Sequence, residues 1–461
     1  MATTRDRRQN DSDETSRLGI YSRLIISITQ SNSKKFIDEV RRWIYKRWKI
    51  YTLSLLRFFL GRFHQISTTY FEPLHYEIFV WQALFSKALP ATDFSTVTTR
   101  NYRVCEAPWH VFQSVGLNLR RLRTRPMYPR LCTQGIDVFI AQTPYPAEIS
   151  DSTALVVRYH DTFPVFMPHM FANKLRHHSN HFHALRSNIE HGAWFACVSE
   201  TTRRSLLSIA PELSNRAVTI PNMVSHEFFD DDRPVSSITE IIKSRLNSDA
   251  PDAVPVFSGL SESQRFYDKH LGRQNIRYIL VVSTIEPRKN HTIIASVLAM
   301  LRTELDPMIK LVIVGSVGWD ANPIMREMRP WIENGTAFLL HKIPAAELRV
   351  LYKYASATVC PSLAEGFDFS GIECMRSGGV VVASDIAVHQ EIYEDAAIYF
   401  DPYSARSLFD ALRSVLHGPD AEALGELVKA RGARISKRFL PEHVLPQWER
   451  FLTQVTNSHH R

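Results

Sequence analysis

The sequence is poor in cysteine. Its five cysteines, Cys105, Cys132, Cys197, Cys360 and Cys374, are scattered over 461 residues with no C-x-x-C pair. An odd, sparse set excludes a disulfide scaffold and fits a reducing compartment. The first twenty residues, MATTRDRRQNDSDETSRLGI, hold no apolar core, so no secretory leader is expected. No stretch reaches the ~18 uninterrupted apolar residues of a membrane-spanning helix. No internal repeat is visible. What is present is ordinary for a globular chain: 44% hydrophobic and 22% charged residues. That balance excludes a disordered, collagenous or coiled-coil protein as the main description. At ~100–200 residues per domain, the length suits two large domains. A net charge of +8 favours acidic partners, whether nucleic acid, anionic lipid or a phosphorylated substrate, without choosing among them. Nineteen histidines let that charge rise below neutral pH.

Residues 1–33 read as a polar tail and lead-in. From Lys34 to Phe63 there is no proline and one late glycine, which predicts a helix. Val40, Ile44, Tyr51, Leu55, Phe58 and Phe59 recur roughly at helical spacing, while Arg41, Arg42, Lys46, Arg47, Lys49, Arg57 and Arg62 make the segment strongly basic. Trp43 and Trp48 add side chains typical of a lipid headgroup boundary. Contact of 41–63 with an anionic membrane surface is one expectation. An ordinary surface helix with snorkelling arginines is the other.

Further on, short apolar runs alternate with helical stretches. Candidate strands are Ile136–Ala141, Ala154–Tyr159, Trp194–Val198, Ala217–Ile220, Arg277–Val282, Lys310–Val314, Ala337–Leu340, Ala357–Cys360, Val380–Ala383 and Ala397–Phe400. Thr292–Leu305, Ala345–Tyr354 and Gly371–Ser377 are helix-compatible. The alternation predicts βαβ units and parallel sheets. Asp230 to Gly272, rich in Asp, Ser and Pro, interrupts it and reads as the boundary region between two α/β domains, placed at 34–265 and 266–435. Pro441–Val455 reads as a closing helix within 436–461.

Three strand-end loops carry candidate chemistry. Ser362–Glu373, SLAEGFDFSGIE, follows a strand and opens onto a helix. Glycines Gly366 and Gly371 let backbone approach a ligand, and a helix starting near Ser370 would aim N–H groups at a phosphate. Glu365 and Glu373, separated by seven residues, can each accept hydrogen bonds from hydroxyls. A nucleotide sugar has such a phosphate between polyhydroxylated ends; a turn cap and a solvated helix residue are the alternative. In VVSTIEPRKNH, Arg288 and Lys289 precede a helix signalled by Asn290, an unfavourable place for two cations unless an anion such as a diphosphate sits beside them. A solvated turn is the other reading. In VVRYHDTFP, His160 closes a strand and can reach a cleft, or can be a loop histidine bonded to Asp161.

These motifs resemble the retaining family 4 glycosyltransferases with the GT-B fold. The resemblance is carried by STIEPRKNH (Ser283–His291), LVIVGSVGW (Leu311–Trp319), PSLAEGFDFSGIE (Pro361–Glu373) and ASDIAVHQEIYEDAAIYFDP (Ala383–Pro402). The amino half is similar more weakly, through YHDTFP (Tyr159–Pro164), CVSETTRRSL (Cys197–Leu206) and VTIPNMV (Val218–Val224); little matches before Asp137. The chain departs from the family at Asp368, where a glycine is usual, and at Met223, where Pro-Asn-Gly is usual. The amino-terminal glycine-rich loop is not obvious, Leu18-Gly19-Ile20-Tyr21 being the candidate.

The resemblance implies an α/β GT-B protein: two Rossmann-like parallel-sheet domains facing a cleft, with an amino-terminal helical extension. It implies transfer of a hexose from a nucleotide diphosphate sugar to a glycan or lipid-linked acceptor, with retention, and neither cofactor nor metal. Arg288 and Lys289 would neutralise the diphosphate, Glu373 would bind the ribose, and Glu365 the transferred sugar. Phe369, Ser370 and Gly371 would meet phosphate and sugar oxygens through their backbone, with Gly315 also on the donor side. His341 and Ile343 would line the base, and His160 would lie beneath the reacting sugar. GDP-mannose is the favoured donor, with UDP- and dTDP-sugars open. A nucleotide-sugar epimerase or hydrolase, or a non-catalytic membrane- or nucleic-acid-binding protein, are the rivals; nucleic acid ranks last. A cytoplasmic location, peripheral on the inner membrane face, is expected. The cluster HHSNHFH (His177, His178, His181, His183) invites a metal reading, but it holds no cysteine or carboxylate, and a polar loop or acceptor-side surface is expected instead.

Overall fold

A computed structural model describes residues 16, 18–22, 25, 36–61, 64–86, 89–105, 107, 109–118, 125–171, 173–246, 255–272 and 276–459. Most of the tail at 1–33 and the ends of the basic segment at 34, 35, 62 and 63 lie outside these residues. The chain divides into two compact units. The first comprises Met1–Phe139, Tyr145–Thr153 and Arg186–His191; the second comprises Ile140–Pro144, Ala154–Leu185 and Gly192–Arg461.

In the first unit the basic segment forms helix α1, Phe36–Leu60, which packs against α2, Trp109–Asn118. Their shared core is Ile50, Val111, Phe112 and Val115, extended by Ile66 and Leu131. Arg57 is buried on the same side of α1 and forms an ion pair with Glu148. Three two-residue strands, Gln65–Ile66, Arg130–Leu131 and Glu148–Ile149, pair in parallel, and Thr68–Phe71 pairs antiparallel with Tyr102–Cys105. The candidate glycine-rich stretch Leu18–Tyr21 is helical, not a loop. Tyr21 is buried there against Phe71, ring centroids 5.0 Å apart, so its apolar side chain dictates packing.

The second unit holds two parallel arrays. Strands β1 (Ala154–Tyr159), β2 (Trp194–Cys197) and β3 (Ala217–Thr219) pair in that order. A six-stranded sheet follows: β4 (Tyr278–Val282), β5 (Lys310–Val314), β6 (Ala337–Leu340), β7 (Ala357–Cys360), β8 (Val381–Ser384) and β9 (Ile398–Phe400). Its order is β6-β5-β4-β7-β8-β9, parallel throughout. All residues of β5 to β8 are buried, as near-continuous apolar strands covered on both faces must be. Leu280, Val312 and Phe338 serve one core; Ile279, Val281, Leu311 and Ile313 serve the other.

Two sequence expectations change here. Asp230–Gly272 is not a plain boundary region: it carries α3 (Ser237–Leu246) and α4 (Leu260–His270). Ile238, Ile241, Ile242 and Leu246 recur on one helical face and enter the core of the six-stranded sheet. HHSNHFH is not a loop either. It lies inside the helix Lys174–Glu190, which contains no proline or glycine to interrupt it.

The sheet order fixes where ligands can bind. The chain runs from β4 outward through β5 to β6, then returns to lay β7 on the other side of β4. The loops after β4 and β7 therefore leave the sheet side by side at a topological switch point, where open parallel sheets bind ligands.

Candidate active site

Arg288 and Lys289 form a 3-10 turn after β4, followed by Asn290 in the left-handed region at φ 54°. The turn leads into helix α5, His291–Glu304. Glu365 lies in the neighbouring loop after β7. A backbone bond from the Leu363 N–H to the Arg288 carbonyl, 2.9 Å, joins the two loops. Glu365 receives Arg288 Nη1 at 2.7 Å, Ser362 Oγ at 2.7 Å, and Lys289 Nζ. Arg288 also donates to Glu286 at 2.8 Å and stacks over the Phe163 ring at 5.2 Å. Burial works against the charge on both cations. For Arg288, Glu365 and Glu286 outweigh it; for Lys289, Glu365 and Asp368 do, so both cations are held at raised pKa. Electrostatics had suggested an external anion beside Arg288 and Lys289. In the structure Glu286 and Glu365 supply that charge, leaving a preorganised two-cation, two-carboxylate cluster.

Helix α6, Phe369–Arg376, opens the other side of the site. Its amino end was expected to offer free N–H groups. The N–H of Ser370 is instead taken by Asp368 Oδ1 at 3.1 Å, and Ser370 Oγ donates to the same oxygen at 2.7 Å. Asp368 is buried, and its other oxygen lies 3.3 Å from His389 Nε2 on helix α7, Ala387–Tyr393. His389 Nδ1 lies 2.9 Å from the Ser384 carbonyl. The Ser384 hydroxyl donates elsewhere, to the Ser362 carbonyl at 2.6 Å. Nε2 thus faces the Asp368 carboxylate and Nδ1 the Ser384 carbonyl. Burial raises the Asp368 pKa, but His389 and Lys289 more than offset this and hold it well below the carboxylate range. Glu373, within α6, accepts from the Tyr352 hydroxyl at 3.0 Å; burial pushes its pKa up to about 7.

Among the other expected site residues, His160 follows β1 with its side chain exposed, its pKa lowered by residual desolvation and by Arg158. Its backbone carbonyl meets the Glu365 loop so closely that a Cβ on Gly366 would stand 1.8 Å from it. A Cβ on Gly371 would strike the Tyr393 ring at 2.3 Å. Both glycines therefore admit protein neighbours. Asp161, Phe163, Thr202, Glu365 and Ile386 line a small cavity of ≈ 170 Å³. Phe369 is exposed at the start of α6. Gly315 follows β5 directly, its N–H donating to the Leu340 carbonyl at 3.0 Å. His341 is buried after β6, and Ile343 packs against the core.

The clustered histidines go to separate partners. His181 meets the Tyr159 hydroxyl at 3.1 Å, His177 stacks on Phe171, and His178 on Phe182. Burial lowers the His181 pKa to about 4. Among the described residues no group of three metal-ligating side chains converges.

Residues 263–431 match the family of glycosyl transferases group 1. The chain is similar to the O-antigen chain mannosyltransferase B of Escherichia coli, 28% identical over 40% of this chain and 45% of that one. It is also 26% identical to the O-antigen chain mannosyltransferase RfbU of Salmonella typhimurium, over 40% of this chain and 50% of that one. The chain thus spans about half the length of the curated relatives it matches. A solved sucrose-phosphate synthase from Thermosynechococcus elongatus superposes with a TM-score of 0.53 at 15% identity, over 76% of this chain and 79% of that one. The architecture is accordingly a GT-B type of α/β fold with parallel sheets and a helical amino-terminal region.

The group 1 segment contains Arg288, Lys289, Glu365 and Glu373. It also contains groups that sequence reasoning missed: Glu286, Ser362, Tyr352, and the Asp368–His389 pair. Glu391 is another, accepting from the N–H groups of Glu200 and Thr201 at 2.6 and 2.8 Å, where helix Glu200–Ile209 begins. Only the Asp-x-Ser spacing of Asp368 and Ser370 was a local signal, since it is the pattern of a side-chain helix cap. The remaining partners meet through sheet order.

Proposed function

We propose that this protein transfers a hexose from a nucleotide diphosphate sugar to a glycan or lipid-linked acceptor with retention of anomeric configuration. The observation that carries this reading is the convergence of Arg288, Lys289 and Glu365 at the switch point of the group 1 segment. Cleaving the bond between the anomeric carbon and the phosphate oxygen builds positive charge on the sugar and negative charge on the departing diphosphate. Arg288 and Lys289 stabilise that diphosphate, by a fork and a point charge respectively. Glu365 holds the sugar hydroxyls, and Glu373 the ribose. The acceptor hydroxyl attacks on the face the diphosphate leaves, and its proton passes to the departing phosphate oxygen. His160 lies beneath the reacting sugar. His341 and Ile343 line the base, Gly315 lies on the donor side, and Phe369 and Gly371 contribute backbone. Residues 34–265 take the acceptor side and 266–435 the donor side. No cofactor or metal takes part.

Similarity to the two O-antigen mannosyltransferases supports mannose as the transferred hexose and a surface polysaccharide as its destination; GDP-mannose is the donor of this proposal, and a cytoplasmic, membrane-peripheral position its place of work. A thermal-shift series with GDP-mannose, UDP-glucose and dTDP-rhamnose tests the donor, since a ligand at 100 times its Kd stabilises by roughly 2.7 kcal/mol. Product analysis tests the reaction. A lengthened acceptor with the donor's anomeric configuration is expected. Free sugar or an epimerised donor would replace this reading with a hydrolase or an epimerase, and an inverted linkage would remove retention.

A further inference from the structure

The net charge of the chain is concentrated in one place. Val40–Phe63 contains seven Lys and Arg residues and no Asp or Glu, so it supplies seven of the net eight positive charges and leaves +1 for the rest. Helix α1 carries six of these seven cations and begins earlier, at Phe36, so that it also includes Asp38 and Glu39. Its 25 residues span ~38 Å at 1.5 Å per residue. One side of α1 is accounted for: Ile50, Ser54 and Arg57 are buried. The opposite side is not. Ile44, Trp48, Tyr51, Leu55 and Phe59 follow one another at helical spacing, and all are exposed, Trp48 at 62% and Phe59 at 76%. Tyr45, Leu56 and Leu60 widen the stripe and are exposed too. Cations flank it: Arg47 reaches over the Trp43 ring at 5.3 Å, and Lys49 lies 5.9 Å from the Tyr45 ring.

We propose that this stripe seats α1 in the plane of an anionic bilayer surface, with Trp48, Leu55 and Phe59 entering the headgroup boundary and Lys46 and Arg47 on lipid phosphates. Three observations fix the occupant. The stripe is apolar, but its cations require an anionic partner. A second copy of α1 would bring six more cations against the first six. Tryptophan and tyrosine are side chains suited to an interface that is apolar on one side and wet on the other. The helix lies on the membrane instead of crossing it: among the described residues no helix is long and apolar enough to span. The inference stands apart from the transferase reading, because lipid binding is measured without donor or turnover.

The test uses the full chain with vesicles of phosphatidylcholine, alone or mixed with phosphatidylglycerol. Co-sedimentation is expected with the mixed vesicles and to weaken with salt. Tryptophan fluorescence of the wild type is expected to be quenched by brominated acyl chains. Removing each cation in Lys46→Gln and Arg47→Gln should weaken binding about fivefold. Trp48→Ser with Phe59→Ser should abolish quenching at unchanged far-ultraviolet circular dichroism. Equal binding to neutral and anionic vesicles, no quenching of the wild type, or variants that bind as tightly as the wild type would each overturn the proposal. So would a wild-type dimer, seen by sedimentation velocity, that Trp48→Ser with Phe59→Ser converts to monomer, since a second copy would then cover the stripe.

Discussion

Basic residues gather in two regions of this molecule, and the two treat their charge in opposite ways. At the switch point, Arg288 and Lys289 are largely buried and share Glu365, with Glu286 as a further partner of Arg288. Along α1 from Val40 to Leu60 there is no acidic residue, and aromatic and aliphatic side chains stand in water between its cations. The first arrangement is balanced inside the protein and already oriented, so it can answer charge that develops during a reaction. The second has its balance outside the protein. A composition of +8 cannot distinguish them. Counter-charge and burial can.

The comparison is broken most forcefully at the Asp368–His389 pair. His389→Gln would leave the buried Asp368 carboxylate without the ring that faces it, and removing one partner of a buried pair costs about 3–5 kcal/mol. Urea denaturation should show that loss, and adding Asp368→Asn should recover most of it, because replacing both partners removes the unpaired charge. A His389→Gln protein within about 1 kcal/mol of the wild type would mean that the His389 ring contributes little to holding Asp368 in place. Next comes Lys289→Ala. Losing one preorganised cation should lower kcat by roughly 100- to 1,000-fold while Arg288 still holds Glu365. Turnover within threefold of the wild type would remove Lys289 from the proposed mechanism.

These partners show what the sequence could and could not reveal. The six-stranded sheet was legible strand by strand, because each strand is a short apolar run flanked by polar loops; Lys310–Val314 and Ala357–Cys360 end where expected. Arg288, Lys289 and Glu365 were legible as motif positions. Their mutual contact was not, because it depends on β7 pairing with β4 instead of with β6, the strand that precedes it. Asp368 and His389 meet because β7 and β8 pair with each other, which sets the two loops that follow them side by side. The role of Gly366 was misjudged because only the fold brings the His160 backbone against it.

Glu373 gives a smaller, pH-dependent effect. Its folded pKa of about 7 lies above the ordinary carboxylate value. Above the unfolded pKa the folded state therefore binds more protons than the unfolded chain, and stability falls as pH rises from about 4.5 through 7. Glu373→Gln should match the wild type below pH ~4.5 and exceed it by on the order of 1–3 kcal/mol at pH 8 in the absence of donor. Parallel curves at both pH values would show that the carboxyl titrates normally.

The weakest expected effect sharpens the comparison most directly. If the cations of α1 have their balance outside the protein, folding should not depend on them. Lys46→Gln and Arg47→Gln should each change unfolding free energy by no more than about 0.5 kcal/mol, the range of surface substitutions away from caps and cores. Arg47 would lose a contact over the exposed Trp43 ring, worth about 0.5–1 kcal/mol at most at such a site. Arg57→Gln serves as the internal control, for Arg57 lies on the buried side of the same helix and pairs with Glu148. It should cost several times more than either exposed change, through the loss of its partner in a dry environment. Equal costs at Arg47 and Arg57 would mean that the outer cations of α1 are balanced within the protein too, and the distinction between the two regions would fail.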